Sequence, residues 1–136
     1  MQIAETIFHI LTLLVLVAMA ARYGLARGIH GYHKDAMGAS ADPEAPGVTL
    51  VFRALYLAIG FGTLAVALGY AVLVFRVTPD LGYGTGYAFV MASVLAVPML
   101  AVTWRVERMS GVKTPWRVIL AGTVLAVIAY ALSLIG

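Results

Sequence analysis

The chain contains no cysteine, which excludes disulfides, thiolate metal sites, iron–sulfur ligation and cysteine nucleophiles. It is also poor in charge: 11% of its residues are Asp, Glu, Lys or Arg and 62% are hydrophobic, against roughly 25% charged in an ordinary soluble domain. A chain of 136 residues cannot hide that much apolar surface from water. Residues 54–75, 86–104 and 118–136 hold no Asp, Glu, Lys, Arg or His at all. Ion-coupled carriers usually place an ionisable group near the bilayer midplane, so a proton-coupled exporter is not expected. P-loop, dinucleotide, G-x-S-x-G and H-E-x-x-H motifs are absent too, and no catalytic set is legible.

What is present is a membrane pattern. About 20 apolar residues cross the hydrocarbon as a helix, and four such spans are expected, at about 3–23, 50–75, 86–104 and 115–135. The expected fold is an all-α bundle of four transmembrane helices forming one membrane domain, with the lipid bilayer as its first partner. Ile7 to Val17, followed by Ala18-Met19-Ala20, has the look of a signal peptide. Its leading segment, however, carries Glu5 and no Lys or Arg, so it is read as a retained helix.

Orientation follows from basic residues in short loops. Arg22, Arg27, Lys34 and Arg53 flank or occupy loop 24–52, and Arg105, Arg108, Lys113 and Arg117 occupy loop 105–117. Only Arg76 falls on the other side, so eight of nine basic residues mark the cytoplasm and both termini lie outside. A bacterial inner membrane is the expected location. The net charge of +3 is read as headgroup attraction by Arg22, Arg27, Arg105 and Arg108, not nucleic-acid binding. Trp104, Trp116, Tyr23 and Tyr56 are expected at the cytoplasmic interface, and Tyr70, Tyr83, Tyr87 and Tyr130 at the outer one.

The residues that bear on function are few. Gly24, Gly28, Gly62, Gly69 and Gly122, together with Ala20, Ala58, Ala65 and Ala126, recur at spacings that let helices approach closely, within the bundle or against a partner. Pro98 predicts a kink in the third span. His9 is the titratable side chain well inside a span, with Glu5 one turn earlier on the same face. The pair is open to hydrogen bonding, to weak metal binding or to presenting an imidazole to haem iron. His30 and His33 form a second pair that a helix would bring onto one face, although Gly28 and Gly31 favour an irregular loop over 24–48. The stretch Leu81-Gly82-Tyr83-Gly84-Thr85-Gly86-Tyr87 is superficially similar to a potassium-channel filter. Standing alone before a span, it is read as a turn, with Arg76 and Asp80 paired beside it.

The opening Ile7-Phe8-His9-Ile10-Leu11 resembles the start of the small four-span proteins related to the HemJ-type protoporphyrinogen oxidases and the CopD-like group. The run from Arg53 through Leu55 and Gly60 to Gly69 is similar to their second helix. That resemblance implies His9 as a haem ligand and a bundle that holds haem b. It implies no catalytic set, because the lysine and further histidine of those proteins' later helices have no counterpart here. Three functions are therefore expected, in this order: a structural or accessory subunit of a membrane complex or a homo-oligomer; a haem-binding redox protein using His9; and a channel or carrier for a neutral or apolar molecule.

Overall fold

A computed structural model describes residues 2–39, 42–81 and 83–135. The chain is all-α, and four of its helices are long and apolar enough to cross a membrane. They are α1 (Ile3–Gly24), α3 (Pro46–Val72, continued by a π turn over Leu73–Val77), α5 (Gly84–Ser110) and α6 (Trp116–Ser133). Two short helices, α2 (Gly31–Met37) and α4 (Thr78–Leu81), lie between them.

Local chemistry sets the ends. The Gln2 backbone N–H donates to Glu5 Oε2 at 3.1 Å and caps the start of α1. Pro46 opens α3, where its missing N–H is no loss. Gly111 ends α5 in the left-handed conformation, with φ of 70° and its N–H on the Glu107 carbonyl. Pro79 has no N–H to continue the ladder of α3. There the helix widens into the π turn, and Thr78 Oγ1 donates to the Leu73 carbonyl at 2.9 Å.

Three sequence expectations change here. Loop 24–48 is not wholly irregular, because α2 forms inside it. The second span starts at Pro46, earlier than expected, and the third runs six residues past Trp104. Apolar length measures only the hydrocarbon crossing, and a helix continues through the headgroup region until a Gly or Pro stops it. The expected Arg76–Asp80 pair involves a side chain outside the described residues, as do Ser40, Ala41 and Gly82.

The four long helices run alternately up and down in a ring, with α1 between α3 and α6, and α5 against both α6 and α3. Both termini therefore lie at one end, the terminal end; α2 and the 111–115 turn lie at the other, the loop end. Large apolar side chains such as Leu68, Val94 and Val102 point outward, exposed, as expected for a multi-pass membrane protein in lipid.

The tightest helix crossing pairs α1 with α3. A Cβ on Gly60 would lie 2.5 Å from Gly24 Cα and 3.1 Å from the Ala20 carbonyl. Gly122 meets Val15 of α1, and Gly69 meets Met91 of α5. Gly28 and Gly62, the other two glycines expected to pack helices, have no such neighbour within 4 Å. Pro98 lies exposed on α5, which continues as a helix across it.

Candidate functional site in the bundle interior

Polar side chains inside the bundle fall in three layers. The layer at the terminal end holds Glu5 and His9 of α1 and Tyr70 of α3, all nearly inaccessible to solvent. His9 Nδ1 shares a hydrogen bond with Tyr70 Oη at 2.8 Å. His9 Nε2 stands 3.7 Å from Glu5 Oε1, beyond hydrogen-bond length, and has no partner among the described residues.

The middle layer lines a cavity of about 50 Å³ reached by all four long helices. Each helix contributes one hydroxyl to its wall: Thr12 from α1, Thr63 from α3, Ser93 from α5 and Thr123 from α6. Thr12 and Thr123 donate to the carbonyls one turn back, Phe8 at 2.9 Å and Ile119 at 2.8 Å. Thr63 Oγ1 is buried with no partner among the described residues. Such a group costs about 1–3 kcal/mol unless something bonds to it. The rest of the wall is apolar, including Met19, Leu95, Met99 and Ile119.

The third layer closes the loop end. Tyr56 Oη accepts the His30 backbone N–H at 3.0 Å and is hydrogen-bonded to His33 Nδ1. Tyr23 and Tyr32 join their hydroxyls at 2.7 Å. The Tyr56 ring packs 5.6 Å from Tyr23 and 4.8 Å from His30, while His33 lies 5.2 Å from Phe52. These contacts dock α2 onto the bundle. Burial, then the nearby His30, lowers the His33 pKa to about 4. Burial, then the Arg22 charge, lowers that of His30. Burial and the Tyr23 hydrogen bond raise that of Tyr32.

Tyr23, Tyr56 and Tyr70 are therefore interior residues, not the interfacial anchors expected of them. Each ring turns inward because its hydroxyl finds a partner there, and a buried hydroxyl needs one. Tyr83, Tyr87 and Trp104 are exposed. Arg108 stacks over Trp104 at 4.4 Å and Arg117 over Trp116 at 4.7 Å, while Arg22, Arg27 and Arg105 are also exposed. Arg117 Nη2 meets Glu107 Oε1 at 2.9 Å, and the Thr114 N–H donates to Glu107 Oε2 at 2.8 Å. These bonds pin the turn between α5 and α6.

The structure brings together both histidine pairs considered from sequence. Glu5 with His9 supplies two donors, and His30 with His33 supplies two rings 6.3 Å apart. No group of three or more His, Cys, Asp or Glu residues that could hold a metal occurs among the described residues, and two donors are too few for a closed site. The central cavity, about 50 Å³, is also far smaller than a porphyrin, and His9 Nδ1 is taken by Tyr70. The four hydroxyls were missed from sequence, although each stands near the middle of a span. Compared with protein-family models, curated proteins and solved structures, the chain matches none.

Proposed function

We propose that this multi-pass membrane protein passes or carries a small neutral molecule through the centre of its bundle. The observation that carries the reading is the central cavity, with one hydroxyl from each long helix and the Thr63 hydroxyl unpaired on its wall. Walls without charge suit a neutral solute, because an ion would lose its hydration uncompensated. A water needs about 10–15 Å³ of such space, so the cavity suits a few waters or one organic molecule of a few heavy atoms. In this reading the basic loops set the orientation, with termini outside and α2 in the cytoplasm, and a bacterial inner membrane is the location.

The test is stopped-flow flux of water, glycerol and urea across proteoliposomes. At least one solute is expected to cross several-fold faster than in empty liposomes, and Ala96→Leu, which fills the cavity wall, is expected to remove the gain. Rates equal to those of empty liposomes for every solute would refute the reading.

A second reading, self-association as a subunit, is favoured by one feature of α3. Ala54, Ala58, Gly62 and Ala65 are all exposed, and Gly62 is open to close approach by a second copy of the chain. Gly62→Leu is then expected to shift the native mass toward the monomer, and an unchanged monomeric mass for both proteins would exclude it.

A further inference from the structure

Glu5 and His9 are buried between helices at the terminal end of the bundle. Their geometry is incomplete. The Tyr70 hydroxyl occupies His9 Nδ1, and Gln2 donates its backbone N–H to Glu5 Oε2. His9 Nε2, buried without a hydrogen-bond partner among the described residues, stands 3.7 Å from Glu5 Oε1. With a charged carboxylate and a neutral imidazole, one buried negative charge is uncompensated whichever ring nitrogen carries the hydrogen. A single proton taken up by the ring makes the pair neutral overall and strengthens the contact into a charge-assisted one.

We propose that Glu5, His9 and Tyr70 form a proton-binding site between α1 and α3, loaded from the aqueous phase at the terminal end. Loading completes the imidazolium of His9, so that both ring nitrogens carry N–H; the proton comes from hydronium in the aqueous phase, which leaves as water, and no electron moves. Glu5 is the counter-charge. Tyr70 is a positioning residue that holds the ring through Nδ1 so that Nε2 points at the carboxylate. Glu5 lies in the first turn of α1, next to exposed Gln2, which gives a short path to water. The surroundings add no competing charge among the described residues. From α3 the facing titratable group is Tyr70, and Arg76 beyond it is exposed. From α6, the other helix on α1, no charged residue follows Arg117, and Tyr130 is stacked on Phe89 at 4.8 Å. A metal or alkali cation would need more oxygen ligands than one carboxylate supplies.

The site is at the end of the bundle and not at its midplane, where the sequence shows no ionisable group. It stands independently of solute passage. His9 is only one turn from Thr12 on the cavity wall, but proton binding and flux are separate measurements.

The experiment titrates the whole protein in nanodiscs from about pH 4 to about pH 10. It follows the ring nitrogens of His9 by ¹⁵N-histidine NMR, assigned with His9→Gln. The ring is expected to titrate, and Glu5→Gln is expected to move its midpoint by at least about one pH unit. Tyr70→Phe is expected to change the His9 nitrogen signals while keeping the dependence on Glu5. Adding sodium chloride at constant pH is expected to leave the titration in place. The proposal is overturned if the His9 midpoint is the same in wild type and Glu5→Gln, if the His9 ring does not titrate, or if sodium displaces the proton. Should His9→Gln fail to fold, the His9 signals in Glu5→Gln decide alone.

Discussion

Gly60→Ala tests the helix crossing that positions all three polar layers. The added Cβ would stand 2.5 Å from Gly24 Cα and nearer still to Gly24 N, while ordinary contact begins at 3.4 Å, so α1 and α3 must part by at least about 0.9 Å. The opposing atoms are backbone, and no flexible side chain can swing aside. The joint that must open also carries the His9–Tyr70 bond near one end and the Tyr23–Tyr56 packing near the other. Overpacking of this kind costs about 1–3 kcal/mol, or roughly 5- to 150-fold in the unfolding equilibrium. Alanine is also the better helix former by about 1 kcal/mol, so the comparison needs a glycine where nothing clashes. Gly62, two residues on, supplies it in dilute micelles that keep a second copy away, because an added Cβ there meets nothing within 4 Å in its own chain. Reversible unfolding in mixed micelles should therefore find Gly60→Ala less stable than Gly62→Ala by about 1–3 kcal/mol. Equal stability of the two variants would refute the crossing as described.

Three further outcomes are expected. Thr63→Val keeps the shape but removes an unpaired buried hydroxyl, so it should stabilise the protein by about 1 kcal/mol in thermal unfolding while lowering solute flux. A loss of stability would mean that the hydroxyl has a partner. The His33 pKa is lowered to about 4 and that of His30 is lowered as well, so the unfolded chain binds more protons than the folded one below the ordinary histidine range. Docking of α2 should then be strongest above about pH 6.5 and weaken as the pH falls toward 4, with less of this dependence in His33→Gln. Hydrogen exchange at the α2 amides, expressed as protection relative to the intrinsic rate at each pH, reads it, and equal protection at both ends of that range would contradict it. Glu107→Gln removes the charge that Arg117 and the Thr114 N–H bond to, so amide exchange at Thr114 should quicken, with the difference shrinking in high salt. Exchange rates equal in the two proteins would show that the turn is held otherwise.

The spans were legible because length and missing charge report directly on the hydrocarbon they cross. The rotation of each helix was not. These helices are apolar on nearly every face, so the sequence pattern does not separate a lipid-facing side from an interior one. That is why Tyr56 and Tyr70 read as interfacial anchors, although their hydroxyls are used inside. It is also why Gly62 was singled out for packing while Gly60, two residues earlier, makes the crossing with Gly24. The helix α2 was hidden for another reason. Seven residues flanked by glycine have little helical preference, and it is docking on Tyr56 that holds them. The pairing of Glu5 with His9 was visible from their spacing, whereas the third member, Tyr70, lies 61 positions from His9 and only the fold brings it near. The four hydroxyls did leave a signal, one near the middle of each span, but it acquires meaning only when the helices form a ring.

Because the chain has no cysteine, a single Ser93→Cys substitution places one thiol on the wall of the central cavity. Modifying it in proteoliposomes with a small neutral thiol reagent, then measuring flux of the solute that passes through the unmodified protein, tests the cavity as the route. The predicted result is complete labelling with loss of the flux above that of empty liposomes. Full labelling with undiminished flux would place the route elsewhere and contradict the account.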